Sequence, residues 1–197
     1  MKKLFSNVWF KCITVLLVIA MISGGLLALL NDLLYVSPAE RSMRAIVKIY
    51  GEEKEFATIL DTDSDDETLN TSISYDEFGE ITKIYKIENQ DSYDLLFRTT
   101  GTGGYKNGTI TLWVQVVCTS QSEKIENVVL EGFEKQTLMS KLDGSYYDGF
   151  LVDVSGEYFS TEQSNNSIYH PVSNATYSAT AGNNAINCVI KYLRGVN

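Results

Sequence analysis

The chain is poor in positive charge, in histidine and in cysteine, and each shortage removes a class of function. Its 16 basic residues against 25 acidic ones give a formal net charge of −9. That excludes a nucleic-acid partner, because phosphate recognition needs a basic face, and it argues against a chain lying flat on anionic lipid. The single histidine, His170, stands before Pro171. It supports neither a serine, histidine and acid arrangement nor a metal cluster, so hydrolytic chemistry has weak support. Three cysteines are too few and too scattered for a disulfide scaffold. Cys12 lies in the apolar N-terminal run, and Cys118 and Cys188 leave open one disulfide or two buried free thiols. Internal repeats and low-complexity tracts are lacking too.

Two motifs that look functional lack their defining residues. The acidic run Asp61, Asp63, Asp65, Asp66 and Glu67 has neither the glycine nor the distal glutamate of an EF-hand, and reads as a solvated loop. The glycine-rich stretch 101–108 is neither G-x-x-x-x-G-K-[ST] nor a G-x-G-x-x-G opening a helix. It reads as a turn joining two strands, its glycines supplying positive φ. Asn70, Asn107, Asn165 and Asn174 begin N-x-[ST] sequons, but the short lysine-first N-terminus looks bacterial and the sequons read as chance.

What is present begins with length and apolar content. With 197 residues, 44% of them hydrophobic, the chain is long enough for one domain with a real core and one further element. The further element is the uncharged run 12–30, which as a helix crosses about 28 Å of hydrocarbon. A cleaved signal peptide would have a shorter apolar run ending at small residues, whereas this run continues past Ser23-Gly24-Gly25 into Leu26 and Leu27. A pilin-like helix would carry a glutamate near its start. Lys2, Lys3 and Lys11 precede the run and Asp32 follows it, so the positive-inside rule puts the N-terminus in the cytoplasm and the rest outside.

Beyond the anchor the pattern is α+β. Ser37-Pro38-Ala39-Glu40 is a capping box and predicts a helix over 38–50. Strands are expected at 72–75, 81–87, 95–99, 109–117 and 125–133, the first two a hairpin with Gly79 at its turn, giving an antiparallel sheet. A short helix is expected over 135–142, and a last amphipathic helix from Ala181, with Ala185, Ile186, Val189, Ile190 and Leu193 on its apolar face. The expected divisions are a cytoplasmic segment 1–11, an anchor 12–30, a helical linker with the acidic loop 31–70, and an extracytoplasmic domain 71–197. Thr176 then stands just outside a helix N-terminus, where free amides and a partial positive charge would hold a phosphate on its hydroxyl. The bland alternative makes Ser178 or Thr180 an ordinary N-cap.

An anchor passing into Leu27-Ala28-Leu29-Leu30-Asn31, the Gly103-Gly104-Tyr105-Lys106-Asn107-Gly108 turn and a strand ending near Ile125-Glu126-Asn127-Val128 follow one another along the chain. In this order of parts the chain resembles the FMN-binding family that includes the G subunit of Rnf complexes and the C subunit of the sodium-pumping NADH:quinone reductase. Gln136-Thr137-Leu138-Met139 stands where the family has Glu-Thr-Pro-Gly-Leu-Gly, and Ser173-Asn174-Ala175-Thr176 where it has Ser-Gly-Ala-Thr. The resemblance implies an FMN-binding-type domain with FMN as a phosphoester on Thr176, and Ser173, Asn174, Tyr177 and Ser178 around the phosphate. Thr137, Leu138 and Met139 are then expected against the isoalloxazine, with Gly104 and Tyr105 at the border. The implied function is electron transfer within a membrane redox complex of Rnf type, matured by a flavin transferase and partnered by other membrane subunits. His170 and Asn174 depart from the family's acid and glycine, and asparagine is the residue that best replaces glycine at positive φ. The alternative expectation is an anchored, non-redox ectodomain whose flavin site has decayed into a ligand- or partner-binding module.

Overall fold

The computed structural model describes residues 8–34, 36–155 and 168–195, in two compact units, 1–41 and 42–197. The first unit is dominated by the helix α1, Val8–Leu34. Its stretch Lys11–Asn31 is long and apolar enough to cross a membrane, at about 32 Å by helical rise.

The helix α2, Pro38–Tyr50, begins in the first unit and ends in the second, with the bounds the capping box predicts. The Glu40 amide donates to Ser37 Oγ at 3.2 Å, so the cap residue takes one of the helix's free donors.

The second unit is built on one antiparallel sheet of six strands. They are β1 Ala57–Asp61, β2 Ile73–Tyr75, β3 Gly79–Glu88, β4 Tyr93–Gly101, β5 Ile110–Cys118 and β6 Glu123–Phe133. β3 to β6 form a meander, while β1 and β2 share the outer edge of β3. Gly79 lies opposite Tyr75 at the β2–β3 turn with φ 140, a conformation that requires glycine. β6 is the other edge, and its pairing with β5 is interrupted by two register shifts, irregularities that blunt an edge against further strand addition.

Side chains alternate across the sheet, so each strand feeds two cores. Leu95, Phe97, Leu112, Val114 and Val116 face α4, Thr176–Leu193, whose Ala179, Ala181, Ala185, Ile186 and Val189 are buried against them. Leu96, Tyr85 and Trp113 face the other way and are covered by Ala45 and Ile46 of α2. The architecture is therefore α+β, an antiparallel sheet with a helix on each face.

Several local expectations change. The helix expected over 135–142 is absent: Lys135 has φ 53, and only a single 3-10 turn forms at Met139–Lys141. The helical turn follows instead as α3, Gly144–Asp148, where the Asp143 carboxylate caps the amides of Ser145 and Tyr146. α4 starts at Thr176, five residues before the expected start at Ala181. β1 was not expected at all, and its last residue, Asp61, belongs to the acidic run read as a solvated loop. Asp61 is buried because Lys83 Nζ sits between it and Asp63, 2.8 Å from a carboxylate oxygen of each. Cys118 and Cys188 are both buried free thiols, and burial pushes them up to about 11 and about 12 respectively.

Candidate functional site

The segments singled out in the sequence, 101–108, 136–139 and 173–178, meet at the N-terminal end of α4. Three local devices bring them there. First, β4 ends at Gly101, which lies directly under α4: a Cβ there would be 2.0 Å from the Ala181 carbonyl oxygen and 2.3 Å from the Ala185 amide nitrogen. The absence of a side chain lets helix and sheet backbones touch. Second, Asn184 Nδ2 donates to the Thr102 carbonyl at 2.9 Å, fixing the glycine-rich turn to the helix. Third, the extended segment 168–170 is held along α4 by two asparagines one helical turn apart. Asn187 exchanges hydrogen bonds with the Ile168 backbone at 2.7 and 3.1 Å, and Asn183 does the same with His170 at 2.8 and 3.1 Å. Both amides imitate a neighbouring strand, so α4 carries its own incoming chain.

His170 follows from that arrangement. Its backbone is tied to Asn183, and its ring packs edge-on against Phe150 with centroids 5.0 Å apart. Asn174 adopts φ 65, the left-handed conformation that asparagine reaches more readily than most other non-glycine residues. The chain then enters α4 through Ala175, which is buried and offers no side-chain cap.

Thr176 is therefore the first residue of the helix rather than a residue outside it, and neither Ser178 nor Thr180 is the N-cap. The Thr176 side chain is exposed. Its carbonyl accepts from Thr180 Oγ1 at 2.9 Å, and no hydrogen bond of its own hydroxyl occurs among the described residues. The first turn of α4 contains no acidic residue, so the partial positive charge of its free amides is not offset within the helix. Ser173 and Asn174 are exposed beside it, and Tyr177 is 64% exposed.

The centre of the cluster is a residue that the sequence reading did not single out as a site residue. Gln136 is buried, and its Oε1 accepts from Ser178 Oγ at 2.9 Å and from the Tyr105 amide at 3.4 Å. Its Nε2 donates to the Glu134 carbonyl at 3.2 Å. One neutral amide thus joins the glycine-rich turn, the segment after β6 and the first turn of α4. A Cβ at Gly104 would lie 2.0 Å from Gln136 Nε2 and 2.5 Å from the Gly108 carbonyl oxygen, and one at Gly108 would lie 2.3 Å from the Glu134 carbonyl oxygen and 2.5 Å from Gln136 Nε2. The two glycines therefore make room both for Gln136 and for the neighbouring backbone. The signal in the sequence was the position of Gln136 directly before Thr137, within the motif that carried the resemblance.

Around this hub lie apolar and aromatic surfaces. The rings of Tyr105 and Tyr177 meet edge to face with centroids 6.2 Å apart, and Lys106 Nζ lies 5.3 Å from the Tyr105 ring centroid. Leu138 is 41% exposed and Thr137 is exposed, whereas Met139 is half-buried and packs against the main core. Chemically, the arrangement offers an exposed hydroxyl at a helix start without a side-chain cap, next in sequence to Tyr177, whose ring meets that of Tyr105. No group of three or more metal-binding side chains occurs among the described residues. No family model, no curated protein and no solved structure matches the chain.

Proposed function

We propose that the protein is a membrane-anchored flavoprotein that carries FMN, as a phosphoester on Thr176, and passes electrons within a membrane redox complex of Rnf type. The observation that supports this best is the exposed Thr176 hydroxyl at the uncapped start of α4, with Asn174 at φ 65 before it and the Tyr105 turn beside it. In this reading α1 is the anchor, the N-terminus is cytoplasmic and the sheet domain is extracytoplasmic. The protein is an electron-transfer subunit rather than a stand-alone enzyme. A flavin transferase matures it, and other membrane subunits give and take its electrons.

The residues present fit the phosphate end of FMN. Thr176 would hold the phosphate through its oxygen, the free amides of the first turn would bond the phosphate oxygens, and Ser173 and Asn174 would line the approach. Tyr105, Tyr177 and Leu138 would shield one side of the ring system from water. Bound FMN supplies one- and two-electron chemistry, and the protein supplies position, burial and electrostatics.

The test is coexpression with a flavin transferase, followed by denaturing electrophoresis. The expected result is flavin fluorescence that stays with the protein band and is lost in Thr176→Val. A dark wild-type band under those conditions would sink the covalent reading.

One observation favours a second reading, a non-redox module with a decayed flavin site. Gln136 occupies the space between Gly104, Gly108 and Ser178, so this part of the site is filled by the protein itself. A protein that stays colourless after soaking in FMN would select that reading, and a yellow, dialysis-resistant one would reject it.

A further inference from the structure

We infer that α2 is a clasp that opens as a unit, uncovering one face of the sheet while the sheet and α4 stay folded. The two helices differ in how much they bury. Eleven of the eighteen residues of α4 are buried, whereas α2 from Ser42 onward buries only Ser42, Ala45 and Ile46 and leaves the rest half-buried or exposed. A segment with few buried apolar groups opens at a lower free energy than the core it rests on. The polar contacts of α2 are also separable from the sheet. Ser42 Oγ meets Tyr85 Oη near the start of the helix, and Tyr50 donates to Asp94 at its end. When α2 leaves, Tyr85 still donates to Asp61, and Asp94 still accepts from Gln115 and Asn89. Opening therefore strands neither group without a partner, and the usual penalty for an orphaned buried polar atom is avoided. The chain supplies a hinge as well. Gly51 ends α2 at φ 76, and Gly51, Glu52, Glu53 and Glu55 are exposed. Phe56, the next residue, packs on Tyr85 with ring centroids 4.8 Å apart, so the far side of the hinge is fixed to the sheet. Along the chain α2 joins α1 to β1. Its release turns a packed helix into slack between them and uncovers Leu96 and Trp113.

Thiol labelling under native conditions tests this in the full-length protein held in detergent. Ala45→Cys, made together with Cys12→Ser, places a thiol on the covered side of α2, and Cys118 and Cys188, both in the core beneath α4, serve as references. The thiol introduced at position 45 should react at least about tenfold faster than Cys118, because α2 opens without that core. Tyr50→Phe removes the contact at the end of α2 and should speed the reaction at position 45 by about tenfold more. Ile186→Val weakens only the part that stays folded, so Cys118 should react about fivefold faster while position 45 keeps its rate. One common rate for the three thiols, or Ile186→Val speeding all of them alike, would mean that α2 leaves only when the whole domain unfolds, and overturns the inference. An unchanged rate at position 45 in Tyr50→Phe overturns the clasping role of the Tyr50 contact. If Ala45→Cys does not fold, amide hydrogen exchange of the wild-type protein and of Ile186→Val decides instead. The amides of 45–50 should exchange faster than those of 185–189 and should not respond to Ile186→Val; equal protection in the two helices overturns the clasp.

Discussion

The two faces of the sheet are closed in different ways. On the α4 face, closure is chiefly by shape: small residues of the helix lie directly on the strands, Gly101 permits contact between backbones, and Thr99 Oγ1 adds a bond to the Ala185 carbonyl at 2.9 Å. On the α2 face, closure is by buried polar pairs at the two ends of a short helix. At its start, Ser42 Oγ and Tyr85 Oη are 2.5 Å apart, and Tyr85 donates to Asp61 at 2.6 Å, with Lys83 neutralising the carboxylate. At its end, Tyr50 donates to Asp94 at 2.8 Å, and Gln115 and Asn89 bond the same carboxylate. Burial, together with the bonded carboxylates, pushes both phenols, Tyr50 and Tyr85, well above their usual range. An 18-residue helix buries enough apolar surface to stay in place. A 13-residue helix with a smaller apolar cluster is fixed at specific points instead.

That contrast predicts a graded set of effects. The largest is on the α4 face: Gly101→Ala forces a methyl into the backbone of Ala181 and Ala185, and overpacking of this kind costs about 3 kcal/mol. Thermal unfolding of the full-length protein in detergent checks it, and a change below about 1 kcal/mol would mean that α4 moves aside easily. Next, Asp94→Ala leaves the donors of Tyr50, Gln115 and Asn89 without their common acceptor, a loss of about 2 kcal/mol. A double-mutant cycle between Tyr50→Phe and Asp94→Asn should give a coupling of about 1 kcal/mol. Additive effects would show that α2 is held by apolar burial after all, and would erase the contrast.

How far the fold could be read in advance follows the same division. Strands β3 to β6 were legible because each carries a long apolar or β-branched run, and α2 because its capping box is complete. β1 was not, because Ala57–Asp61 is short and ends in an acid whose burial depends on Lys83, a residue distant in sequence. The start of α4 was misplaced because Thr176 and Tyr177 are exposed and lie outside the apolar repeat; a helix capped by Ala175 gives no sequence signal of its own. At the site, nearness of the glycine turn to Thr176 and a glycine-like backbone at Asn174 were expected only through the family resemblance, and the residues by themselves carried no signal of either. Gln136 was hidden, since a polar residue in a loop shows nothing of its role until three segments close around it.

The smallest effect expected is a pH dependence confined to the α2 face. Burial pushes the Asp61 carboxyl upward, but hydrogen bonds from Lys83, Tyr85 and the Asp63 amide outweigh it and hold the group below the ordinary carboxylate value. A carboxyl with a lowered folded-state pKa binds fewer protons folded than unfolded. Its contribution is therefore fully present above the unfolded value, about 3.9, and is lost as pH falls through the lower folded value. Asp61→Asn should accordingly be less stable than wild type at pH 7, with the gap closing as denaturant unfolding is repeated from pH 5 downward. The exposed carboxyls of Asp66, Asp143 and Asp153 are also held low by local hydrogen bonds, and they give both proteins the same background slope. The difference between the two curves, rather than either curve alone, reports Asp61. A gap that stays constant down to about pH 3 would mean that the Lys83 pairing adds nothing to folding. The start of α2 would then be held without help from that ion pair.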